Sequence, residues 1–493
     1  MMKWKNPGIK EKWLIVCVII ISAVFTGLTM KAFPFSKEDN PSDRELRPLA
    51  GLTDDVESQI PFVIDSLCVI SDSTRSLDTF LEELELLLAG KDTVIQIVHL
   101  GDSHVQAGFY TGQVMRMLHQ AFGNAGRGWI APLKLAKINE PTDYLISSPK
   151  VKDWTIGRCI QRAPKCIWGL GGLGIQTASK TVDFKVSITP INGAGYGFKT
   201  LLLYRDDQAI PLLPVNMDNE TIQTAWSAKT GLPHIAVDTF QMDTETYDLH
   251  LHSVSQLDLE QTFEASILQT PNCYYGFSLL NGNPGILYHS IGQNGAMFRH
   301  YTSPEYVRQL ALLQPSLLII TLGTNEAFGI SNLTDALFMS QLDRFIQLVK
   351  EHLPATAILL TTPAESFRRT RRGYERNVNI SLIANVITDY AHREGLACFD
   401  LFGMTGGVNS CDRWQESKLL GRDRIHFSVD GYYEQGKLLY KALVRLKMNQ
   451  QREVGEIGEI GEVEEIGEIG EVGKIGEIGE IEEIEEIGEI GEK

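Results

Sequence analysis

The sequence predicts an α/β fold, a parallel sheet covered by helices and interrupted by an inserted β-sandwich. Near-continuous apolar runs at Val94–Leu100, Ile286–Ile291, Leu317–Leu322, Ala357–Thr361 and Ala397–Leu401 alternate with helical patterns. Such runs suit strands buried on both faces. Between the first two runs the period changes to two: Val182, Phe184, Val186 and Ile188 alternate with polar residues, as do Tyr247, Leu249 and Leu251. With Asn192-Gly193 and Asp206-Asp207 as turn signals, this stretch reads as many short antiparallel strands.

Taken in order, the chain opens with Lys3, Lys5, Lys10 and Lys12 before an uncharged apolar run from Trp13 to Met30. That run is about as long as the shortest spanning helices, and lysines on its N-terminal side favour an N-in orientation. Residues 1–30 are therefore expected to be a membrane anchor helix, with a cleaved signal peptide as the rival reading; either exports the bulk of the chain. Residues 31–75, rich in Pro, Asp and Ser toward their start, read as a linker. The first part of the α/β domain is expected over 76–147. It holds a helix with Leu77, Leu81, Leu84 and Leu88 on one face, capped by Ser76 and stopped by Gly90. The sandwich is expected over 148–282. The second α/β part, 283–449, has helical patterns at Pro304–Leu313, Thr334–Leu353, Asn377–Arg393 and Val429–Met448. From 450 onward a Gly-Glu-Ile repeat suits neither an amphipathic helix nor a strand, and it predicts a disordered tail.

The net charge of −17 resides mostly in that tail, which has 16 Glu and 2 Lys from Glu453 onward. The rest is close to neutral, with no basic excess to favour nucleic acid. The seven cysteines lack metal-ligand spacing. Cys159 and Cys166 are near enough to pair in an oxidising compartment, or are small buried apolar residues. Asp248, His250 and His252 share one strand face without an evident third metal ligand, which favours a solvated surface. No metal or organic cofactor is implied.

Chemistry concentrates at strand ends, where ligands of parallel sheets bind. Strand Val94–Leu100 runs into Gly101-Asp102-Ser103-His104 just before a helix. A serine on such a turn is an exposed nucleophile, though Asp102 or Ser103 serving only as a helix cap would explain the tetrapeptide alone. A second motif, Asp423-Arg424-Ile425-His426, precedes the last helix. Asp423 can orient one ring nitrogen of His426, leaving the other to accept the Ser103 proton. Asn325, in Gly323-Thr324-Asn325, can donate its side-chain amide to an oxyanion, and Gly295, in Gly292-Gln293-Asn294-Gly295, can donate a backbone N–H. Gly292 is the alternative to Gly295 in that role.

The order Ser103, Gly295, Asn325, Asp423/His426 resembles the four blocks of the SGNH (GDSL-like) hydrolases. The resemblance implies a flavodoxin-like sheet, a Ser103–His426–Asp423 triad and an oxyanion hole from Ser103, Gly295 and Asn325. The first block reads Gly-Asp-Ser-His rather than ending in Leu, and the third ends in Glu326 rather than Asp. These departures, the Gly126-Arg127-Gly128-Trp129 turn and the Asn283-Pro284-Gly285 approach are similar to the branch of peptidoglycan O-acetylesterases and O-acetyltransferases. That branch implies a membrane-anchored or secreted esterase acting outside the cytoplasm on an acetylated envelope polysaccharide. An O-acetyltransferase with the same residues, and a non-catalytic glycan-binding protein using Trp154, Trp168, Tyr274 and Tyr275 of the sandwich, are the competing expectations. A lipase is disfavoured because no apolar lid segment is evident.

Overall fold

A computed structural model of the chain describes residues 60–149, 153–189, 196–215, 224–253 and 271–467. One compact unit runs to Arg445 and a second holds Leu446 onward. The Trp13–Met30 run lies outside the described residues; among those described, no helix is long and apolar enough to cross a membrane.

The mainly parallel sheet has six strands: β1 (Ile70–Ser71), β2 (Val94–Gly101), β3 (Gly285–Gly292), β4 (Leu317–Thr321), β5 (Ala357–Thr361) and β6 (Ala397–Phe399). Their order is β1-β6-β5-β4-β2-β3, all parallel except β1, which runs antiparallel to β6. Without β1 this is the flavodoxin-like order, whose switch point lies where the chain leaves β3 on one side of β2 and crosses to β4 on the other. Burial explains the apolar runs: Ile95, Ile97, Val98 and Leu100 of β2 and Leu317 to Ile320 of β4 are at most 1% exposed. At about 1.5–3 kcal/mol per fully buried aliphatic side chain, these central strands anchor the core. The buried histidine of β2 is satisfied in place. His99 bonds the Tyr288 hydroxyl at 2.6 Å and Thr321 Oγ1 at 2.7 Å, and burial lowers its pKa to about 3, so the ring is neutral.

The helices that position the site are α1 (Asp78–Leu88), α2 (Ser103–Gln106), α3 (Phe109–Phe122), α4 (Pro304–Leu310), α5 (Thr324–Gly329), α6 (Asp335–His352), α7 (Asn379–Glu394) and α8 (Val429–Gly467). Caps fix several boundaries. Ser303 accepts from the Tyr306 N–H with Pro304 at the first turn, and Thr334 accepts from the Leu337 N–H. Ser76 does not cap α1; Asp72 instead accepts the N–H groups of Ser76 and Leu77.

The insertion is an antiparallel sandwich. One sheet orders the strands Thr224–Lys229, Ala236–Thr246, Phe198–Arg205, Asn272–Leu280, Leu173–Thr177 and Thr155–Arg158, with Gly128–Ile130 also paired to Asn272–Leu280. The other orders Tyr144–Ser147, Asp183–Ile188, Asp248–Ser253 and Leu212–Val215. Phe184 of the second sheet meets Tyr274 and Phe277 of the first edge-on at 5.3 and 5.8 Å, so the alternating apolar residues of the two sheets share one core.

Three expectations need correction. The sandwich begins before residue 148, because Gly128–Ile130 and Tyr144–Ser147 already pair into its sheets; strands of three and four residues are too short to show a period. The linker does not extend to residue 75: Ile60, Cys68 and Ile70 are buried and β1 edges the sheet. The tail is not irregular from residue 450, since α8 continues to Gly467. Extending a formed helix adds one hydrogen bond per residue, which offsets the roughly 1 kcal/mol cost of each glycine; residues 468–493 lie outside the described part. Of the two readings of the cysteines, the buried one holds: Cys159 and Cys166 are not paired, and the six described cysteines are buried free thiols.

Candidate active site

The strand β2 ends in a turn at Asp102, which caps α2 through its Oδ1, accepting the His104 N–H at 3.0 Å. This leaves Ser103 at the first helical position and partly exposed at the carboxyl edge of the sheet. Its Oγ lies 2.8 Å from His426 Nε2, and His426 Nδ1 lies 2.6 Å from Asp423 Oδ2. The Asp423–His426 geometry is local. Asp423 Oδ1 accepts the N–H groups of Ile425 and His426, each at 3.0 Å, and Arg424 takes a left-handed φ of 59° to close the turn. Burial pulls the Asp423 pKa up, but bonds from the His426 ring and these two N–H groups outweigh it and hold the carboxyl below its ordinary value. Asp423 is thus ionised and keeps Nδ1 protonated, leaving Nε2 to exchange a proton with Ser103.

Behind this chain stands His104, whose ring lies 5.2 Å from the His426 ring and whose Nδ1 meets the Tyr432 hydroxyl at 2.9 Å. Burial lowers its pKa to about 3. It is a neutral wall against His426 rather than a second base.

The loop after β3 supplies the opposite side. Gly292 is required by close packing: a Cβ there would lie 2.2 Å from Gln106 N and 2.7 Å from Asp102 O. Gly295 differs. It has φ +87°, a Cβ there would meet Ile160 Cδ1 at an ordinary 3.7 Å, and its N–H has no acceptor among the described residues. The peptides on either side of Asn294 are each held: Asn294 N, in the Gln293–Asn294 peptide, donates to Gln106 Oε1 at 2.7 Å, and Arg158 Nη2 donates to Asn294 O, in the Asn294–Gly295 peptide, at 2.8 Å. Arg158 Nε also reaches Gln293 Oε1 at 3.2 Å. Since the Asn294–Gly295 peptide is trans, its N–H points away from the guanidinium.

Asn325, on α5, donates one amide hydrogen to Asp102 Oδ2 at 2.9 Å and the other to Ala296 O at 3.0 Å. Both are therefore engaged, and an oxyanion would have to replace the Ala296 carbonyl to use one. Burial pushes Asp102 up to about 7, against the lowering by the His104 N–H, His426 and Asn325. The next residue, Glu326, is fully buried; its Oε1 accepts the Phe298 N–H at 2.8 Å and its Oε2 has no partner.

The structure thus brings together Ser103, His426 and Asp423, with Gly295 and Asn325 in the adjoining loops. Reasoning on the sequence missed Gln106, Arg158 and Glu326. Gln106 lies one helical turn beyond Ser103 and was legible in principle; Arg158, in a two-period strand, carries no local signal. The sandwich aromatics are not a sugar platform: Tyr274 and Tyr275 are buried, Trp154 stacks on Phe184 at 5.3 Å and Trp168 meets Tyr306 of α4 at 5.6 Å. His252 pairs with Asp183 of the neighbouring strand, and among the described residues no group of three possible metal ligands forms around His250 and His252. Among the described residues, only Asp206, Asp207 and His234, at a turn of the sandwich, could hold a metal, their ligand atoms lying within 4.8 Å of one another.

Glu326 gives the loop a testable electrostatic signature. Burial raises its pKa from 4.5 to about 7. Between those values the folded chain holds a proton that the unfolded chain has released. This contribution to stability is full below about pH 4.5 and is lost as pH rises to about 7, by on the order of 3 kcal/mol. Glu326→Gln should flatten the fall in urea-denaturation stability over this window; parallel pH dependences for both proteins would show that Glu326 does not titrate there.

Residues 270–433 match the model of the GDSL-like Lipase/Acylhydrolase family. No curated protein matches the chain. Among solved structures, a peptidoglycan O-acetylesterase aligns at TM-score 0.61 and 19% identity, covering 77% of this chain and 99% of its own. A lipase/acylhydrolase from Enterococcus faecalis (21% identity, 33% of this chain and 76% of that one, TM-score 0.25) and an acetyl xylan esterase (19%, 38% and 87%, 0.26) align too weakly to carry an argument. Over residues 270–433 the chain is similar to the GDSL-like Lipase/Acylhydrolase family, and its α/β fold resembles that of the peptidoglycan O-acetylesterase structure.

Proposed function

We propose that the chain is a serine esterase that removes O-acetyl groups from a cell-envelope polysaccharide such as peptidoglycan. The observation that carries this is the unbroken Asp423–His426–Ser103 hydrogen-bond chain at the carboxyl edge of the sheet. The site is open: the side chains of His426 and Asp423 are 38% and 52% exposed, which suits a polymer lying across a surface better than a small molecule enclosed in a cavity. The fold shared with a peptidoglycan O-acetylesterase supports the choice of polymer.

In this reading Ser103 Oγ attacks the acetyl carbonyl as its proton passes to His426 Nε2. The tetrahedral oxyanion lies against the N–H groups of Ser103 and Gly295, with Asn325 as a third donor once it releases Ala296. Collapse expels the sugar oxygen, which takes the proton from His426, and leaves acetyl-Ser103. A water molecule, deprotonated by the same nitrogen, then releases acetate. Ser103→Ala and His426→Ala should each lower kcat on a chromogenic acetyl ester by about 10⁴–10⁶ with unchanged melting temperature, and a serine-directed phosphonate should label Ser103 alone. Full activity in either folded variant would remove the assignment.

Arg158 is assigned as a positioning residue. By binding the carbonyl of the Asn294–Gly295 peptide, it fixes and polarises the N–H at the other end of the same amide. Arg158→Ala should lower kcat on the small ester by about tenfold or more, short of the 10²–10³ for a lost oxyanion donor, with KM unchanged and partial rescue by added guanidinium. A loss confined to KM, or absent on the small ester, would assign Arg158 to substrate contact instead.

The same reading places the catalytic domain outside the cytoplasm, tethered by residues 1–30. Cell fractionation should find the full-length chain in the membrane, with a reporter fused after Met448 active only when exported. A mature N-terminus near Lys31 would show cleavage instead.

A further inference from the structure

The charge of the folded part is unevenly placed. Arg368, Arg369, Arg371, Arg372 and Arg376 stand within nine residues, on a hairpin formed by Phe367–Thr370 and Gly373–Arg376. All five are exposed. Two have acidic partners: Arg368 faces Glu375 at 3.9 Å, and Arg376 pairs with Asp412. Arg369, Arg371 and Arg372 have no acidic partner among the described residues. Three like charges gathered at one turn repel each other, and the hairpin fold does not need them, since its register is set by the backbone ladder and by the Thr370 hydroxyl bonding Gly373 O and Arg372 N.

The hairpin is fastened to both sides of the catalytic edge. At its root, Phe367 N donates to Arg424 O at 3.0 Å, and the Arg424 guanidinium lies over the Tyr374 ring at 4.5 Å and the Phe367 ring at 5.4 Å. Arg424 is the residue between Asp423 and Ile425 in the turn that presents His426. On leaving the hairpin, Asn377 and Asn379 both donate to Ala327 O, at 3.3 and 3.0 Å, on the helix that carries Asn325. The unpaired arginines are thus tied to two of the loops that build the site. Their field reaches about 8–10 Å at physiological salt, which covers polymer units flanking a reacting ester rather than the ester alone.

We propose that the Arg369–Arg371–Arg372 hairpin is a binding subsite for an anionic stretch of the polymer substrate, holding its carboxylate or phosphate groups while an acetyl ester elsewhere on the strand reaches Ser103. Guanidinium groups engage either anion with paired N–H bonds. The proposal rests on the esterase reading only in naming the bound polymer as substrate, and binding without turnover tests it separately.

The test uses the full chain carrying Ser103→Ala, with three probes: oligogalacturonate (carboxylates), oligomeric glycerol phosphate (phosphodiesters) and neutral chitooligosaccharide. At about 50 mM salt at least one anionic probe should bind about tenfold more tightly than the neutral one, and the difference should shrink at about 300 mM. Which anion is preferred identifies the source of charge. Adding Arg369→Gln, Arg371→Gln and Arg372→Gln together should abolish the preference. The three Lys replacements should largely keep it, and Lys91→Gln, Arg308→Gln and Arg344→Gln, an equal charge change elsewhere, should leave it intact. Equal affinity for charged and neutral probes, or the same loss in the control triple variant, would overturn the proposal. A wild-type chain inactive on every acetyl ester but binding as expected would overturn the esterase reading and leave the subsite standing.

Discussion

The buried carboxylate of Asp102 ties the site together. It is 1% exposed, and a carboxylate held there without partners would cost several kcal/mol. Its partners are drawn from separate parts of the chain: the His104 N–H begins the helix bearing Ser103, and the Asn325 amide reaches across from α5, the helix after the neighbouring strand β4. Asn325 then passes its other hydrogen to Ala296 in the glycine loop. One desolvated group therefore makes the geometry of the serine turn, the asparagine helix and the glycine loop a single problem. Loss of any member exposes a polar partner to an apolar interior, a penalty larger than the net worth of the bond itself.

The insertion is part of this arrangement rather than an appendage. Arg158 leaves its strand to take the Asn294 carbonyl, and Trp168 packs on Tyr306 of α4. The sandwich therefore contributes at the scale of one amide group, where orientation decides whether an N–H is available to a developing oxyanion. Its own aromatic residues serve its core, as Phe184 shows by meeting Trp154, Tyr274 and Phe277 together.

What could be read in the sequence follows from the range of the forces involved. Strands β2 to β5 are marked by near-continuous apolar runs because both their faces are covered, and a two-sided burial leaves no periodicity to misread. Ser103, Asp423 and His426 are legible because each sits in a short motif whose turn chemistry is local; Asp423 even bonds its own backbone two and three residues on. Strands too short to show alternation, such as Ile70–Ser71 and Gly128–Ile130, are defined by their partners and stay hidden. The engagement of both Asn325 hydrogens is hidden for the same reason, since Asp102 lies 223 positions away. The helical continuation past residue 450 shows a different failure. A repeat judged by its own composition lacks the nucleus that the preceding packed turns supply.

The distribution of polar chemistry around Ser103 divides the labour between reaction and recognition. Groups that touch the reacting centre are short-range and neutral or internally paired: the His426–Asp423 pair, the Gly295 N–H and the neutral His104. Unpaired positive charge is kept farther out, on a hairpin fastened to the catalytic loop through Arg424. Held at a distance from the reacting ester, the arginines of the proposed subsite would add binding energy for a polymer shared by ground state and transition state, leaving the oxyanion to donors whose orientation is fixed beforehand. The same separation explains how an open site can act on one ester among many. On the proposed reading, charge outside the cleft would set the register along the polymer, and two backbone amides and an imidazole within it would set the chemistry.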